Sequence, residues 1–599
     1  MKHLKHLSLP VLQANFPCGG KYRNGPWKKQ ETIMQFVANN GAGIIESPTG
    51  SGKTAVEYTI LKAAQSEGRK TLFLITPNKT ILEQIQKEFS DLKVALGRNE
   101  HQCLYYEGGF QADEVPCSML KDCPYRVDQK TGRTTEKDVE PCPYLQQKYE
   151  AKQGGIVLCT MSFYLFTQLF AREFETPDVL VIDEVHRIAD VVRHSLSYEI
   201  TDYHIAQSVD LLRDIGIEEH KGLRKFLLAM KRICKKRPPA EGILLEDSEV
   251  RRLVQILAEI KTTALIEKIR EAVRLHKISG EENRVVLKKL ETLVRDIRRY
   301  ISSFEYCTET ETRRPLNYTC AFYRAEKGEN QKVQYKLIIK CYYVAALIRK
   351  ILPPFTVSFS ATIGDVDTFG YETGIRAESI SLASDFSVDH TRIYMPTDTP
   401  NLAMNVRGKR DLTQTLRGIA RASKRFADSG HRSLVVTISN QERSKFLMLA
   451  EEEGVNAISY GNGISPKQAA LLFKQGQGDV LVGTAANYSE GVDLPKQIAP
   501  VIFFLRPGYP NPRDPGTIFE QRRFASQRWS LWNWRVMQQA LQTRGRNIRG
   551  RGDVGVTFFI SQQFRRFLFA SLPEWLEKSY QGKQTFEDCI ADAETLLRN

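Results

Sequence analysis

The stretch GAGIIESPTGSGKTAVEYTILKAAQSEG, residues 41–68, decides the fold. A short apolar strand over 43–46 runs into a Gly-rich turn, and a helix follows from Lys53 and ends near Gly68. Glycines in such a turn let backbone N–H groups cradle phosphate oxygens at the helix N-terminus. The stretch therefore predicts a phosphate-binding loop of the strand–loop–helix type.

The residues of this loop have separate tasks on a nucleotide. Lys53 supplies a charge to the β- and γ-phosphates, and Thr54 supplies a hydroxyl to Mg²⁺. The general pattern has Gly where this chain has Ser47, so the motif is matched in part and completed by its strand and helix. The predicted nucleotide-binding residues of the loop are Ser47, Pro48, Thr49, Gly50, Ser51, Gly52, Lys53 and Thr54.

A second motif, VLVIDEVH at 179–186, places two acids at the end of an apolar strand. Asp183 can hold Mg²⁺ through water, and Glu184 can orient and polarise the attacking water. His186 lies two residues further on, in a position to sense the γ-phosphate. Together with the loop, this motif predicts hydrolysis of ATP or GTP.

Hydrolysis also needs positive charge on the far side of the γ-phosphate. The stretch QQALQTRGRNIRGRGD at 538–553 offers Gln542, Arg546 and Arg549. Their spacing predicts that the two arginines share one helix face, from which they can act on the transition-state charge. The alternative is a basic surface helix.

Four cysteines, Cys103, Cys117, Cys123 and Cys142, fall within about 40 residues in the pattern C-x13-C-x5-C-x18-C. Zinc sites usually contain C-x2-4-C pairs, which this pattern lacks. The segment has little apolar sequence, so a metal centre could supply folding energy that burial does not. From the residues alone, an iron–sulfur cluster, a zinc ion and unligated cysteines all remain open.

Composition narrows the class of protein. The 599 residues are too many for one core, and the net charge of +15 favours a polyanionic partner such as nucleic acid, the alternative being solubility alone. No run approaches the roughly 18 apolar residues of a membrane span. No signal peptide is recognisable, so we expect a cytoplasmic protein, or a nuclear one in a eukaryote. Thiols stay reduced in these compartments, so clustered cysteines are expected to bind metal rather than to form disulfides.

Before about residue 200 and after about residue 340, predicted strands alternate with predicted helices, and this alternation predicts parallel sheets. From about 200 to 340 the apolar residues recur at helical spacing, as at Leu253, Ile256, Leu257 and Ile260. We therefore expect a mostly helical insertion. Its charge runs indicate solvated helix faces or direct contact with nucleic acid.

The motifs together resemble a known family. The phosphate loop, DEVH, FSAT (359–362), YSEGVDLP (488–495) and QTRGRNIRG (542–550) occur in the order found in superfamily 2 helicases. Four cysteines between the loop and DEVH narrow the resemblance to the iron–sulfur helicases of the XPD/DinG group. The entry YRNGPWKKQ departs from the family pattern before Gln30, the residue to which the resemblance assigns contact with adenine.

The resemblance implies an α/β fold of two RecA-like parallel-sheet lobes, with a small iron–sulfur insertion and a helical arch insertion in the first lobe. The implied division is first lobe 1–96, iron–sulfur domain 97–150, first lobe 151–199 with the DEVH box, helical arch 200–338, first lobe 339–383 and second lobe 384–599. The implied catalytic residues are Lys53, Asp183, Glu184, His186, Gln542, Arg546 and Arg549.

The implied activity is that of an ATP-dependent DNA helicase, which moves 5′ to 3′ on single-stranded DNA, unwinds duplexes and serves DNA repair. The implied cofactors are Mg²⁺, held by Thr54 and Asp183, and a structural [4Fe–4S] cluster on the four cysteines, which the resemblance favours over zinc. Expected substrates are single-stranded, forked and 5′-tailed DNA, with RNA–DNA hybrids a further one, and we expect a monomer.

Two alternatives to this function stay open. The chain could be an ATP-driven translocase that strips proteins from nucleic acid or acts on RNA-containing hybrids. It could instead be an iron–sulfur DNA-binding protein that uses ATP as a switch. Strand displacement on a tailed duplex separates the helicase from the translocase, and ATP hydrolysis that rises with single-stranded DNA separates both from the switch.

Overall fold

The structure is a computed structural model. It describes residues 6–48, 50–117, 123–235, 243–261, 264–265, 267–269, 271, 284–285, 287–297, 318–325, 334–384, 387, 390–403, 406, 408–489, 494, 498–512, 514–548, 552–565, 568, 572–582 and 584–598. Thr49 and Arg549, two of the predicted site residues, lie outside the described residues.

The strands form three sheets. In chain order they are β1 Gly43–Glu46, β2 Thr71–Thr76, β3 Lys93–Ala95, β4 Gly155–Thr160, β5 Val179–Ile182, β6 Tyr198–Thr201, β7 Ile243–Leu244, β8 Tyr318–Ala325, β9 Gln334–Cys341, β10 Thr356–Ser360, β11 Ser379–Ser381, β12 Thr391–Tyr394, β13 Ser433–Thr437, β14 Ala457–Ser459, β15 Val480–Thr484, β16 Val501–Phe504, β17 Gly555–Phe559 and β18 Tyr580–Gln581.

The helices pack on and between these sheets. In chain order they are α1 Leu9–Ala14, α2 Lys28–Asn40, α3 Lys53–Ser66, α4 Lys79–Glu88, α5 Pro143–Lys152, α6 Met161–Leu165, α7 Ile188–Ser195, α8 Asp202–Asp214, α9 His220–Lys235, α10 Asp247–Ala258, α11 Ala345–Ile351, α12 Val366–Thr373, α13 Lys409–Asp428, α14 Asn440–Glu452, α15 Pro466–Lys474, α16 Ala485–Tyr488, α17 Pro515–Arg523, α18 Arg528–Arg544, α19 Glu574–Glu577 and α20 Phe586–Arg598.

The first sheet has seven parallel strands in the order β11-β1-β10-β5-β2-β4-β3. Its central strands β10, β5 and β2 are buried over nearly their whole length, and helices cover both faces of the sheet. Strand β10 lies between β1 and β5, although it comes from a stretch far away in the sequence. Because the carboxyl ends of parallel strands meet at one edge, the phosphate loop, FSAT and DEVH become neighbours.

The second sheet also has seven parallel strands, in the order β14-β15-β13-β16-β17-β12-β18. Its core contains stacked aromatic rings, among them Phe503 and Phe558, whose ring centroids lie 4.8 Å apart. With the first sheet, it confirms the predicted fold of two RecA-like lobes. We call them lobe 1, which holds β1–β5, β10 and β11, and lobe 2, which holds β12–β18.

The insertion between β5 and β10 differs in part from the prediction. Helices α8, α9 and α10 form it as expected, with Phe226, Leu253 and Leu257 in their shared core. It also contains an antiparallel sheet in the order β6-β9-β8-β7, which the helical spacing did not predict. The described part of this arch is therefore a helical layer on a four-stranded sheet.

The cysteine segment between β3 and α5 consists mainly of turns. In its described part from 97 to 142, the fully buried apolar residues are Ala112, Val115 and Val127. Arg98 holds two of these turns by donating to the carbonyls of Ala112 and Val115. So small a core agrees with a segment that needs a further source of stability.

The arch touches the cysteine segment directly. The Arg284 guanidinium lies 3.6 Å from the ring centroid of Phe110 and donates to the carbonyl of Glu114. Lys288 Nζ lies 3.5 Å from the carbonyl oxygen of Val115. The two insertions of lobe 1 therefore support each other.

The lobes meet along α18, a lobe 2 helix. Trp534 and Gln538 of α18 both donate to the carbonyl of Ile363 in lobe 1. Arg535 of the same helix reaches Glu372 of α12 at 3.0 Å. One face of α18 is thus fixed to the segment that follows FSAT.

No helix of the described chain combines the length and the apolar character that crossing a membrane demands.

Candidate functional site

The phosphate loop joins β1 to the first turn of α3 at the cleft between the lobes. Gly50 and Gly52 adopt positive φ values of 82° and 74°, which favour glycine. The Ser47 hydroxyl donates to the Ser51 hydroxyl at 2.6 Å, and both side chains are buried. The loop is therefore closed by its own side chains, and its backbone faces the cleft.

Gln30 lies directly against this loop. It is buried on α2, where its Oε1 accepts from the Trp27 amide at 2.8 Å and its Nε2 donates to the Gly52 carbonyl at 3.0 Å. A Cβ atom on Gly52 would lie 2.4 Å from Gln30 Nε2, so this position requires glycine. Contact between Gln30 and adenine stays a prediction.

The two acids of DEVH follow β5 at the same edge of the sheet. Glu184 has a positive φ of 48°, unusual for a residue with a side chain. Its Oε1 lies 3.2 Å from Lys53 Nζ, and its Oε2 lies 3.4 Å from His186 Nδ1. This backbone conformation accompanies a carboxylate placed between the loop lysine and the histidine.

The environment separates the two acids electrostatically. Burial and the neighbouring Glu184 raise the pKa of Asp183 to about 7, although Lys53 opposes the shift. Burial also acts to raise the pKa of Glu184, but Lys53 and His186 outweigh it and lower the pKa to about 2. Glu184 is therefore anionic at neutral pH. A cation beside Asp183 would favour the charged form of Asp183.

A third acid, Glu57 on α3, was missed by the sequence reasoning. It is fully buried, close to Asp183 and Lys53. Burial and Asp183 raise its pKa well above the usual value, although Lys53 opposes the shift. Glu57 lies one helical turn after Thr54, where an acidic residue is ordinary in a helix. Its place in the site becomes evident only when the helix packs against the sheet.

A chain of polar contacts leads from His186 to lobe 2. His186 Nδ1 lies 2.8 Å from the hydroxyl of Ser360, which in turn donates to the Thr362 carbonyl. Gln542 of α18 donates to the Thr362 hydroxyl at 2.9 Å, and its Nε2 lies 3.5 Å from His186 Nε2. The predicted site residues His186 and Gln542 are therefore brought together across the cleft.

The prediction that Arg546 and Arg549 share a helix face is wrong. Helix α18 ends at Arg544 with Gly545 as its C-cap residue, so Arg546 lies in the following turn. There its Nε donates to the carbonyl of Ser489 at 2.9 Å, and its side chain is buried. Arg544, which the prediction passed over, also lines the cleft.

A cavity of about 440 Å³ joins the two halves of the site. Its charged lining residues besides His186 are four cations against two acids: Lys53, Arg187, Arg544 and Arg546, and Asp183 and Glu184. This excess of positive charge suits a polyphosphate that carries a divalent cation.

The four cysteines line a separate, small cavity of about 30 Å³ in the cysteine segment. All four are free thiols rather than disulfides. Burial and neighbouring thiols raise the pKa of Cys117 and of Cys123, although Arg98 opposes the shift at Cys117 and a hydrogen bond from Tyr125 opposes it at Cys123. Among the described residues, no group of three or more His, Cys, Asp or Glu side chains is placed to hold a single metal ion. Four thiols that line one cavity are a donor set of the kind that iron–sulfur clusters take.

Several polar residues that could contact nucleic acid lie at the carboxyl ends of strands. Asn78 and Ser439 cap α4 and α14, and Thr484 at the end of β15 contacts the Tyr460 hydroxyl at 3.0 Å. Tyr105 is 42% exposed, whereas Phe163 belongs to the core of lobe 1 and is not available for stacking on a base.

Comparison with known proteins agrees with this geometry. Family models match as "Type III restriction enzyme, res subunit" over residues 27–209 and as "Helicase C-terminal domain" over residues 424–579. The ATP-dependent DNA helicase XPD of Sulfolobus acidocaldarius is 24% identical over 205 residues, which cover 30% of this chain and 36% of that protein. The Fanconi anemia group J protein homolog of Gallus gallus is 20% identical over 589 residues, which cover 82% of this chain and 46% of that protein.

Solved structures share the fold. An XPD helicase structure superposes with a TM-score of 0.61 at 16% identity and covers 94% of this chain and 100% of its own. Xpd4 of S. tokodaii gives a TM-score of 0.56 at 13% identity, with 94% and 100% covered. The curated relatives are matched over less than half of their length.

The two RecA-like lobes, the phosphate loop in lobe 1 and the match of lobe 2 to the helicase C-terminal model make the chain similar to superfamily 2 helicases. Within that class the chain resembles the XPD group, in sequence and in fold, so the resemblance drawn from its motifs is confirmed.

Proposed function

We propose that this chain is an ATP-dependent DNA helicase that moves 5′ to 3′ along single-stranded DNA and opens duplexes. The observation that carries the proposal is the interlobe cavity, in which Lys53, Thr54 and Glu184 of lobe 1 face Arg544 and Arg546 of lobe 2. A relative that is 24% identical over 205 residues is named an ATP-dependent DNA helicase.

In the proposed hydrolysis, each wall of the cleft has its own task. Lys53 binds the phosphates, and Thr54 with Asp183 would hold Mg²⁺, which supplies charge neutralisation when it is bound. Glu184, anionic at neutral pH, orients the attacking water. Arg546 supplies positive charge from lobe 2, as an arginine finger does.

Movement requires that hydrolysis changes the contact between the lobes. The contacts from His186 through Ser360 and Thr362 to Gln542 run directly from the acids of DEVH to lobe 2. A change at the terminal phosphate can therefore alter how α18 rests on lobe 1. This contiguous set of hydrogen bonds supports a motor rather than a static nucleotide-binding protein.

The substrate assignment rests on charge and on the XPD-like resemblance. A net charge of +15 favours a nucleic acid, and polar caps such as Asn78 and Ser439 stand at the strand ends of both lobes. The proposed direction of movement, 5′ to 3′, rests on the resemblance to the XPD group.

The cysteines would hold a [4Fe–4S] cluster through Cys103, Cys117, Cys123 and Cys142. The cluster would supply structural energy to a segment with few buried apolar residues. The thiols converge within an apolar cavity, and the arch packs against the same segment through Arg284. We propose that this joint body stands where the duplex opens.

The test compares duplexes with a 5′ tail, a 3′ tail and an RNA strand, together with ATP hydrolysis in the presence and absence of single-stranded DNA. The helicase proposal predicts stimulated hydrolysis and displacement of the 5′-tailed duplex only. Stimulated hydrolysis without displacement of any duplex would indicate a translocase. Binding of DNA and ATP with negligible turnover would indicate an ATP-controlled switch.

A further inference from the structure

Helix α9 of the arch has one strongly basic side. Its 16 residues include six lysines and arginines and no acid. Leu223, Phe226 and Met230 are buried on the opposite side, in the core of the arch. The apolar side anchors the helix, which leaves the basic side in contact with water.

The exposed cations of α9 form one stripe, because they recur at helical spacing. At 3.6 residues per turn, positions 221, 224, 225, 228, 232 and 235 fall within about 100° of the helix circumference. All of these side chains are exposed, and the apolar one among them, Leu228, is 55% exposed. The basic stripe consists of two groups with Leu228 between them: Lys221, Arg224 and Lys225 on one side, and Arg232 and Lys235 on the other.

Acids on neighbouring segments neutralise half of the cations of α9. The pairs, at 3.2–3.4 Å, are Lys221 with Glu218, Lys225 with Glu259, and Lys231 with Asp202. Arg224, Arg232 and Lys235 form no ion pair with the acids that the structure describes. Like charges that lie close together on one helix face repel one another, and a bound polyanion relieves that repulsion.

We propose that the basic stripe of α9 binds the phosphate backbone of duplex DNA ahead of the point where the strands separate. The inference rests on the proposed function, which places the arch at that point. Arg224 and Arg232 are eight residues apart, or about 12 Å along the helix axis, and the major groove of B-DNA is about 12 Å wide. The two basic groups therefore match the backbones on either side of one groove, and Leu228 lies over the groove itself.

A duplex fits this stripe better than a single strand does. The cations lie at fixed intervals on a rigid helix, and the phosphates of a duplex also keep a fixed spacing, whereas those of a flexible single strand do not. Contacts to phosphates position a protein on DNA without reading its sequence, which suits an enzyme that must open any duplex. The stripe would hold the fork against the arch while the lobes move along the single strand.

The test compares the parent with a triple variant of the full chain, Arg224→Gln with Arg232→Gln and Lys235→Gln. Affinities for a blunt DNA duplex and for a single strand of equal length are measured by fluorescence anisotropy over a range of salt concentrations. Each phosphate contact contributes about −0.9 to the log–log salt slope on duplex DNA, so the duplex slope should become shallower by roughly 2–3. Duplex affinity should fall about 10- to 100-fold at ~0.1 M salt, while affinity for the single strand and the ATP hydrolysis that it stimulates should stay within about twofold.

The matched control removes the same charge from other helices. Lys87→Gln, Lys350→Gln and Lys474→Gln together change exposed lysines at or near the ends of α4, α11 and α15. This variant should bind the duplex as the parent does, and thermal melting should show that both variants are folded.

Three outcomes would overturn the inference: unchanged duplex affinity in the α9 variant, a comparable loss in the control, or an equal loss for the duplex and the single strand. The last two would show that net charge, or the path of the single strand, accounts for the effect. A parent chain that neither binds single-stranded DNA nor hydrolyses ATP in response to it would instead overturn the proposed function.

Discussion

Glu372 offers a direct test of how the two lobes are held together. This buried carboxylate of α12 accepts from Arg193 of lobe 1 at 2.6 Å and from Arg535 of lobe 2 at 3.0 Å. Glu372→Ala would remove the carboxylate that both the Arg193 and the Arg535 guanidinium groups contact. Breaking a buried ion pair by removing one partner costs about 3–5 kcal/mol.

The remaining partners place the expected cost at the lower end of that range. Arg535 keeps Glu520 at 2.8 Å, and Arg193 keeps Asp190 at 2.7 Å, although the Asp190 side chain is 59% exposed. We therefore expect a loss of about 3 kcal/mol, or roughly 6–12 °C in Tm for a folding unit of 150–250 residues. Thermal melting measures it, and Glu372→Gln, which keeps the shape and one acceptor, should lose less.

The control is Glu199→Ala, which breaks a pair of similar length on the surface. Glu199 reaches Lys336 at 2.6 Å, but the two side chains are 48% and 30% exposed, so the loss should stay below about 1 kcal/mol. If Glu372→Ala melts within 1 kcal/mol of the parent, as this control should, the interlobe network does not stabilise the fold.

The pH dependence gives a second readout of the same network. Burial acts to raise the pKa of Glu372, but Arg193 and Arg535 outweigh it, and the pKa is below its usual value of 4.5. A depressed pKa contributes stability that is present above pH 4.5 and is lost as the pH falls through the folded-state value. The Tm difference between the parent and Glu372→Ala should therefore shrink below pH 4.5.

Three further predictions address the cleft, the cysteines and the nucleic acid. Glu184→Gln should retain nucleotide and DNA binding and lose about 10²–10⁴-fold in ATP turnover, because the water loses its orienting base; hydrolysis within a few-fold of the parent would remove Glu184 from that role. Cys117→Ser should lose the iron, of which the parent should hold about four atoms per chain, and it should reduce unwinding far more than basal ATP hydrolysis. The control Cys18→Ser, which changes an exposed thiol, should keep the iron. One zinc ion per chain in place of iron would refute the cluster. Binding of single-stranded DNA should weaken with salt at a log–log slope of roughly −3 to −4 for four to six phosphate contacts, and a flat salt curve would contradict electrostatic binding of the DNA phosphates.

The sequence by itself determined the elements that depend on neighbours along the chain. The strand, turn and helix of residues 43–66 need only local apolar spacing and glycines, so the phosphate loop was predictable. The same is true of β5 with its two acids and of the alternation that predicts parallel sheets. Because these signals are local, the nucleotide chemistry and the resemblance to the XPD group followed from them.

Only the tertiary structure decided what depends on contacts between distant segments. Strand β10 lies between β1 and β5, where Val357 and Phe359 pack into the core on one face and Ser358 is buried on the other, and the spacing of its residues carries no information about its neighbours. The four-stranded sheet of the arch likewise requires β6 to pair with β9 across a long insertion.

The same reason explains the residues that the sequence reasoning missed. Glu57 and Arg544 stand in ordinary helical sequence, and they belong to the site because a sheet and an opposite lobe exclude water from them. The charge network of Arg193, Glu372 and Arg535 joins residues of three helices. Burial determines both the desolvation penalty of a charged group and the strength of its ion pairs, and burial depends on the packed chain rather than on the local sequence.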